Sequence, residues 1–302
     1  MSHSVTVQIP GATSNCGPGF DTLGIALTLH NFVELQLTPG CGDIVPAQHG
    51  ASELTASMVQ DIASAFFSHT GLLTVGFRYD IWGEVPPARG LSSSATVRAG
   101  VLSGLNHLRG TPLSQEEMIR IVSRFEAPDG VAACFKGGFC LSRIDPESGA
   151  YVNSVRYEVP HGLAMVVVSP DAEVQTRVQR EVLPDSIPFF DVVKSINSLA
   201  WIVSAFASGD YSRLQAAVTD YIHEPYRESL CPFTREAIRA GMEHGAYCGW
   251  LSGSGSSVLC VGPQAEAIEI GKAMLKVFEV NGTPARLLKL RTANTGLRIL
   301  PA

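Results

Sequence analysis

The sequence predicts an α+β protein built from two domains. Strand-like and helix-like segments come in runs, which is not the strict alternation of a doubly wound parallel sheet. The 302 residues suit one large domain or two of ordinary size, and a hydrophobic content of 45% allows a sizeable core. The boundary is expected at Pro160-His161-Gly162, which divides the chain into residues 1–160 and 161–302.

The first of these parts contains predicted strands, amphipathic helices and one hairpin. Pro10-Gly11 is expected to end the first strand, and residues 12–21 are expected to form a loop because they are polar and rich in glycine. Alternation and helical spacing of apolar residues define the other elements. The predicted strands are 5–9, 31–38, 72–79, 137–144 and 151–157, and the predicted helices are 54–66, 95–108 and 114–125.

The second part begins with residues 163–169, which are almost wholly apolar. Such a short apolar run predicts a central strand, flanked by other strands on both sides. The same criteria define the remaining elements. The predicted strands are 246–251, 257–262 and a last one at 284–289, and the predicted helices are 192–206, 211–222, 234–244 and 265–280.

Charge and cysteine content restrict the class of partner and the compartment. The formal net charge is −6, which argues against a nucleic-acid-binding surface. The seven cysteines form no Cys-x-x-Cys pair and several lie in apolar runs, so free buried thiols in a reducing cytosol are expected. The N-terminus lacks a signal-peptide pattern, and no apolar run approaches ~20 residues. A soluble cytoplasmic protein without membrane contact is therefore expected.

The segment Pro86-Pro87-Ala88-Arg89-Gly90-Leu91-Ser92-Ser93-Ser94-Ala95 joins a predicted strand to a predicted helix. A glycine turn followed by a helix start presents free N–H groups and the positive end of the helix dipole, and phosphate is the usual occupant of such a site. The alternative is a serine-rich N-cap on an ordinary amphipathic helix. Both interpretations fit the segment by itself.

Three loops rich in glycine and in serine or asparagine occur along the chain, at residues 11–21, 86–95 and 249–257. The common phosphate-loop, protein-kinase and nucleophile-elbow patterns are not found in the sequence. A lone Gly-Ser-Gly turn is more often a hairpin than a site. Three such loops in one chain indicate that the backbone approaches a ligand in several places.

The central loop resembles the main motif of the GHMP kinases, Pro-x3-Gly-Leu-[Gly/Ser]-Ser-Ser-Ala, at every specified position. This resemblance implies a two-domain α+β fold with a ribosomal-protein-S5-like N-terminal domain and a ferredoxin-like C-terminal domain. It also implies an ATP-binding loop whose serine helps to hold Mg²⁺. The residues implied in ATP binding are Pro86, Arg89, Gly90, Leu91, Ser92, Ser93, Ser94 and Ala95.

Within that superfamily the chain is most similar to the homoserine kinases. Ala12 to Gly24 fits their first motif, Thr176 and Arg180 precede Leu183-Pro184 as in that family, and Glu224-Pro225-Tyr226-Arg227 fits a further motif. The resemblance implies that Ser94 and Glu126 are metal ligands and that these two residues and Asn15 are catalytic, with Asn15 orienting the acceptor hydroxyl. It implies a substrate-binding set in which two arginines grip a carboxylate and a carboxylate meets an ammonium group. That set is Asn15, Asp21, Asp129, Thr176, Arg180, Arg227 and Gly253.

One segment departs from the homoserine kinase pattern. Where the family usually has Glu-Gly-His-Pro-Asp-Asn, this chain reads Glu126-Ala127-Pro128-Asp129-Gly130, with one residue fewer. The missing histidine and asparagine side chains lie near the substrate hydroxyl in the family. The Asn-x-[Val/Ile] element of the family's adenine pocket is also not evident before the central loop.

The expected activity is ATP- and Mg²⁺-dependent phosphorylation of L-homoserine, with the product used in threonine biosynthesis. One alternative is a kinase of the same superfamily acting on another hydroxylated amino or carboxylic acid, since the departure lies at the acceptor. Another is a ligand-binding paralogue without turnover. A small-molecule substrate is the expected partner, and a homodimer is one option for assembly.

Overall fold

Two antiparallel-rich sheets organise the chain, and the computed structural model describes residues 3–38, 42–47, 52–216 and 218–301. The first sheet has seven strands in the order β11-β1-β2-β4-β3, and β5 pairs with both β2 and β6. Only the β3–β4 pair is parallel in this sheet. Its strands are β1 (Ser4–Ser14), β2 (Leu23–Leu37), β3 (Ile44–Pro46), β4 (Phe77–Gly83), β5 (Phe139–Ile144), β6 (Tyr151–Tyr157) and β11 (Arg298–Leu300).

The second sheet has four antiparallel strands in the order β10-β7-β9-β8. The apolar strand β7 lies between two neighbours, as the sequence predicts, and every residue in it is buried because both faces of the sheet are covered. The strands of this sheet are β7 (Leu163–Pro170), β8 (Cys248–Leu251), β9 (Val258–Pro263) and β10 (Ala285–Leu290).

Nine α-helices cover the two sheets in the described part of the chain. Helix α2 begins within the serine-rich loop, at Ser93, and α4 begins at Pro128, within the segment that departs from the family pattern. Short 3₁₀ turns lie at Tyr211–Ala216 and Gln264–Glu266. The helices are α1 (Glu53–Thr70), α2 (Ser93–Leu108), α3 (Gln115–Val122), α4 (Pro128–Lys136), α5 (Thr176–Glu181), α6 (Phe189–Ser208), α7 (Glu224–Arg227), α8 (Thr234–Glu243) and α9 (Ala267–Val280).

The buried apolar residues form three clusters between successive layers. One cluster joins the first sheet to α1, α2, α3 and α4. A second joins the other face of β2 to the second sheet, with Leu23 and Ile25 on one side and Met165 and Val167 on the other. A third lies between the second sheet and α8 and α9. The two sheets therefore pack face to face, and the loops at their common edge can meet.

Several predicted elements are wrong in extent. Strand β1 continues through Pro10-Gly11 with an irregularity in the pairing to β2, so residues 12–14 are strand rather than loop. The strand expected at 72–79 is shifted to β4, and the helix expected at 211–222 is reduced to the 3₁₀ turn. Helix α4 was not predicted.

The strand at 284–289 is not the last one, contrary to the prediction. Strand β11 follows it and pairs with β1 in the first sheet, with Val7 opposite Ile299. The boundary expected at residue 160 falls between β6 and β7, the last and first strands of their respective runs. The division into 1–160 and 161–302 stays a prediction, and the C-terminal tail crosses it.

Helix α6 is long and apolar enough to cross a membrane by length and composition. Only 28% of its most apolar stretch is buried, although Ile202, Ala205 and Phe206 lie in the core. Its Phe189 and Phe190 are about three-quarters exposed. Core helices of soluble proteins can have the same length and apolar composition, so α6 is weak support for a membrane span.

Candidate active site

The three glycine-rich loops meet at one edge of the packed sheets. The Ala12 backbone N–H donates to the Leu91 carbonyl oxygen at 3.2 Å, and the Gly253 N–H donates to the Ser14 carbonyl oxygen at 3.2 Å. The Ser252 hydroxyl donates to the Gly90 carbonyl oxygen at 2.7 Å. A Cβ added at Gly90, whose φ is +69°, would collide with the Ser252 carbonyl oxygen. Glycine is therefore required where the second and third loops touch.

The start of α2 is not closed by a side-chain cap. Ser92 is the cap residue, its φ of 61° is left-handed, and its side chain makes no capping hydrogen bond. Its hydroxyl instead donates to the Ala12 carbonyl oxygen at 3.0 Å. The Ser92 side chain thus accepts no hydrogen bond from the first N–H groups of α2. This favours an anion site over the serine N-cap interpretation.

Ser94 and Glu126 lie in contact at this helix start. The Ser94 hydroxyl donates to Glu126 Oε2 at 2.7 Å, and Arg98 Nε donates to Glu126 Oε1 at 3.0 Å. Burial raises the pKa of the Glu126 carboxyl, and the bonds from Ser94 and Arg98 oppose that rise. The missing residue after Glu126 therefore does not withdraw this carboxylate from the loop.

The pair Ser94 and Glu126 fits Mg²⁺ by donor chemistry, since both supply hard oxygen atoms. Within the described residues there is no group of three or more His, Cys, Asp or Glu side chains that could hold a metal ion. Mg²⁺ commonly uses one or two carboxylates together with substrate phosphates rather than an all-protein cage. The two oxygens beside an anion-binding helix start match that pattern.

The other residues of the central loop are fixed by neighbouring segments. The Val174 N–H donates to the Ala88 carbonyl oxygen at 3.2 Å, and the Ser257 N–H donates to the Arg89 carbonyl oxygen at 3.3 Å. Arg89 Nη1 lies 3.6 Å from a carboxylate oxygen of Glu173. The side chain of Arg89 is thus held toward the segment that precedes α5.

Asn15 joins the first loop to two other parts of the site. Its backbone N–H donates to Asp129 Oδ2 at 2.8 Å, and its Nδ2 donates to the Gly253 carbonyl oxygen at 2.9 Å. Its Oδ1 accepts from the Asp21 N–H at 3.1 Å. The left-handed φ of 68° at Asn15 is one that asparagine tolerates better than most residues. In this structure both polar ends of the side chain position the loop.

Asp129 is completely buried at the start of α4. Burial, together with the nearby charge of Asp21, raises the pKa of the Asp129 carboxyl to about 7. The N–H groups of Asn15 and Gly130 donate to its two oxygens at 2.8 Å each and oppose that rise. Its visible role is to hold the first loop against α4.

Two arginines converge on the ring of Phe20. The guanidinium carbons of Arg180 and Arg227 lie 5.2 and 5.3 Å from its centroid. Arg180 makes a two-pronged ion pair with Asp21, at 2.7 Å from Nη2 to Oδ1 and 3.1 Å from Nη1 to Oδ2. Arg227 is 2% exposed, and burial lowers the pKa of its guanidinium.

Arg227 is surrounded by neutral acceptors. Its Nε donates to the Gln179 carbonyl oxygen and its Nη1 to the Gly253 carbonyl oxygen, each at 3.1 Å. No ion pair between Arg227 and a carboxylate is found in the part of the chain that the structure describes. A buried cation without a counter-ion is costly, so this position favours an anionic ligand.

The remaining predicted residue, Thr176, lies at the rim of the site. Thr176 is the first residue of α5, and its Oγ1 is 3.2 Å from the Ser254 hydroxyl. The structure thus connects most of the predicted site residues through direct contacts. Phe20, Gln179 and His223 were missed. Phe20 lies inside the first motif and His223 directly precedes Glu224-Pro225-Tyr226-Arg227, which was the available signal, whereas Gln179 contributes chiefly a backbone carbonyl.

In the segment that departs from the family pattern, Gly130 has no side chain, and the hydroxyls of Ser14 and Ser92 lie next to it. A Cβ added at Gly130 would lie 2.7 Å from Ser14 Oγ and 2.8 Å from Ser92 Oγ, and those two oxygens are 3.5 Å apart. Ala127 serves as the cap residue of α4 and supplies no capping hydrogen bond. The wall next to the phosphate loop is therefore lined by serine hydroxyls.

Comparison with known proteins agrees with this arrangement. The chain matches the family descriptions "GHMP kinases N terminal domain" over residues 57–138 and "GHMP kinases C terminal" over residues 202–280. It is 34% identical to a homoserine kinase of Moorella thermoacetica, over 97% of this chain and 99% of that protein. It is 31% identical to a homoserine kinase of Caldanaerobacter subterraneus subsp. tengcongensis, over 98% of this chain and 95% of that protein.

A solved structure has the same fold. The crystal structure of homoserine kinase from Cytophaga hutchinsonii superposes with a TM-score of 0.88 at 24% identity, covering 99% of this chain and 98% of that chain. The chain belongs to the GHMP kinase family. By class it is an ATP-dependent small-molecule kinase, and the predicted two-domain α+β fold of that family is confirmed.

Proposed function

We infer that this chain transfers the γ-phosphoryl group of ATP to the side-chain hydroxyl of L-homoserine and so forms O-phosphohomoserine for threonine biosynthesis. The observation that carries this inference is the pairing of a helix start without a side-chain cap with a charged cluster of Asp21, Arg180 and Arg227 around Phe20. The first feature suits phosphate, and the second suits an α-amino acid. The names of the relatives that match nearly the whole chain support the same substrate.

The charged cluster of Asp21, Arg180 and Arg227 suits a zwitterionic amino acid as the phosphoryl acceptor. Asp21 and Arg180 form an exposed ion pair, and exposed pairs contribute little stability. An amino acid can replace that pair with two others, its ammonium group on Asp21 and its carboxylate on Arg180. The unpaired guanidinium of Arg227 adds a second donor for the same carboxylate, because arginine binds carboxylates through two parallel N–H groups.

The nucleotide side works by positioning and charge neutralisation. Phosphoryl transfer requires the attacking and leaving oxygens in line and donors around the transferring group. The free N–H groups at the start of α2 would bind the phosphates, and Ser94 with Glu126 would hold Mg²⁺. When bound, that ion neutralises phosphate charge as a Lewis acid. Arg98 orients the Glu126 carboxylate and opposes the rise in its pKa that burial causes.

A second candidate function is supported by the departing segment. Serine hydroxyls rather than histidine and asparagine side chains line the wall beside Gly130. A different wall can favour a different hydroxyl-bearing acceptor, while the arginines still select a carboxylate. The candidate is therefore a kinase of the same family that prefers another hydroxylated amino or carboxylic acid.

A coupled ADP-release assay separates these functions. We expect ADP release to depend on millimolar L-homoserine, and to be lost with L-2-aminobutyrate, which lacks the hydroxyl, and with 4-hydroxybutyrate, which lacks the ammonium group. Faster turnover with another hydroxylated acid would favour the second candidate. No turnover with any acceptor, together with ATP binding in calorimetry, would contradict both and favour a ligand-binding protein.

The compartment and assembly stay predictions. A cytosolic location is supported by the free, buried thiols of Cys16, Cys134, Cys140, Cys231, Cys248 and Cys260. Cys41 lies outside the described residues. Homodimer formation is tested by light scattering of the purified protein.

A further inference from the structure

His223 is a completely buried side chain that lies between the first loop and Arg227. Its Nε2 is 2.8 Å from the Gly17 carbonyl oxygen, and its Nδ1 is 3.2 Å from Arg227 Nη1. Its ring centroid lies 5.3 Å from that of Phe20, which also faces the guanidinium of Arg227. The imidazole therefore connects the first loop to Arg227.

The two partners define one protonation state of the ring. A carbonyl oxygen only accepts, so Nε2 must carry the proton, and a guanidinium only donates, so Nδ1 must present its lone pair. Asp220 is the nearest carboxylate, with Oδ2 at 3.6 Å from Nε2, but its oxygens already accept from the N–H groups of residues 222, 223 and 224.

The charged neighbours do not change this state at neutral pH. Burial and the charge of Arg227 lower the pKa of His223 to about 4, although Asp220, the Gly17 carbonyl and Asp21 favour protonation. The neutral ring then completes a set of three neutral acceptors around Arg227, with the carbonyls of Gln179 and Gly253. Nε and Nη1 are engaged, and Nη2 makes no hydrogen bond within the described residues.

We propose that His223 is a positioning residue that, through its unprotonated Nδ1, holds the Arg227 guanidinium so that Nη2 faces the substrate carboxylate. This inference rests on the proposed function for the identity of the substrate. It assigns His223 no contact with the reacting atoms. Its effect is accordingly on the affinity for the amino acid, with the phosphate side unchanged.

Two near-isosteric variants test the two hydrogen bonds of the His223 ring separately. In His223→Asn the amide oxygen can replace Nδ1 as the acceptor for Arg227, but the donor to Gly17 is lost. In His223→Gln the amide nitrogen can replace Nε2 as the donor to Gly17, but the acceptor for Arg227 is lost. A hydrogen bond to a charged group is worth enough for a roughly tenfold to hundredfold change in binding.

We expect His223→Gln to raise the KM for L-homoserine about tenfold or more, with kcat and the KM for ATP within about threefold of wild type. His223→Asn should keep the KM for L-homoserine within about threefold. His244→Gln is the matched control, because His244 is exposed directly after the end of α8 and its ring Nδ1 contacts the Ala240 carbonyl oxygen rather than a residue of the site. An unchanged KM in His223→Gln, or equal losses in both His223 variants, would overturn the proposal.

An independent readout does not depend on turnover. ¹⁵N NMR of the His223 imidazole at neutral pH should show a protonated Nε2 and an unprotonated Nδ1, and the opposite tautomer would overturn the proposal. If wild type turns over no amino acid but shows the expected tautomer, the proposed function fails while the arrangement of Arg227 stands. The two failures are therefore distinguishable.

Discussion

At the scale of single residues, the ionisable side chains of the site differ in the hydrogen-bond partners that surround them. Glu126 is held by Ser94 and Arg98, whereas the donors to Asp129 among the described residues are backbone N–H groups. The acceptors around Arg227 in that part of the chain are neutral. These differences support the proposed metal-binding role of Glu126 and the proposed substrate-binding role of Arg227, and they show Asp129 holding the first loop.

Replacement of Glu126 tests the nucleotide side. Glu126→Gln keeps the shape of the side chain and removes its charge, so we expect kcat to fall about a hundredfold, the scale typical of losing one electrostatic contact to the transition state. Steady-state kinetics over a range of Mg²⁺ concentrations measure this. Glu243→Gln, at an exposed position at the end of α8, is the control and should behave as wild type. A kcat equal to wild type at all Mg²⁺ concentrations would contradict the assignment.

The raised pKa of Asp129 predicts a pH-dependent stability. Because the folded-state pKa is about 7 and the unfolded value is near 4, the folded protein binds the extra proton between these values, and stability falls as the pH rises through that window. Asp129→Asn has no carboxyl group at this position and therefore lacks this pH dependence of stability. From about pH 5 to about pH 7 its free energy of unfolding should improve relative to wild type by roughly 2 kcal/mol.

Urea unfolding of both proteins at several pH values measures the difference. The variant also loses one acceptor for a backbone N–H group, but that cost is a constant offset and does not depend on pH. Parallel pH profiles would show that Asp129 is already ionised throughout and would contradict the prediction.

At the scale of elements, helix α2 approaches the first sheet through glycine. A Cβ added at Gly100 would collide with Val33 Cγ2 and lie 2.8 Å from Ile9 Cδ1, and one added at Gly104 would lie 2.7 Å from Leu35 Cδ1. This close approach sets the depth of α2 on the sheet. It therefore also sets the height of the phosphate-binding helix start above β1.

Gly100→Ala should destabilise the protein by about 1 to 3 kcal/mol, because overpacking outweighs the gain of about 1 kcal/mol in helix propensity. The same substitution in a Val33→Ala background should cost less, since the nearest side chain is then shortened. Thermal or urea unfolding of the two single variants and the double variant gives the coupling. A stabilising Gly100→Ala would show that the helix can move away from the sheet freely.

The sequence predicts elements well where one periodic signal dominates. The hairpin β5–β6 and the central strand β7 are found as predicted because alternation or apolar content is unbroken there. Strand β1 is longer than predicted because Pro10-Gly11, a usual turn signal, is accommodated by an irregular pairing with β2. Helix α4 was missed because Gly130 and Pro128 suggest a loop, although proline is tolerated in a first helical turn.

The site could be predicted only as far as its motifs extend. The family resemblance indicated Ser94, Glu126, Arg180 and Arg227, but it could not show that Arg180 pairs with Asp21 or that Ser94 contacts Glu126 across 32 positions. Such contacts depend on how the two sheets pack. The role of His223 depends on that packing in the same way.

At the scale of the whole molecule, the C-terminal tail joins the two sheets. After β10 in the second sheet, the Ala293 N–H donates to the Ala26 carbonyl oxygen at 2.9 Å, and the Leu297 N–H donates to the Cys134 carbonyl oxygen at 2.9 Å. Strand β11 then covers the β1 edge. The first sheet is therefore completed by residues from the far end of the chain.

Deletion of residues 291–302 should destabilise the whole protein. The deletion exposes the β1 edge and removes the acceptors and donors that the tail supplies to β2 and α4, so we expect a loss of several kcal/mol and a lower Tm. Calorimetry of the full chain and the truncated chain measures this. An unchanged Tm would contradict the view that the tail ties the sheets together.

The central claim is that the phosphoryl group of ATP reaches the hydroxyl of L-homoserine, and ³¹P NMR of the reaction mixture tests it most directly. With protein, ATP, Mg²⁺ and L-homoserine present, the γ-phosphate resonance should fall while one phosphomonoester resonance rises in equal amount and matches O-phosphohomoserine. Loss of the γ-phosphate signal to inorganic phosphate alone, or no change over hours at millimolar substrate, would contradict the account.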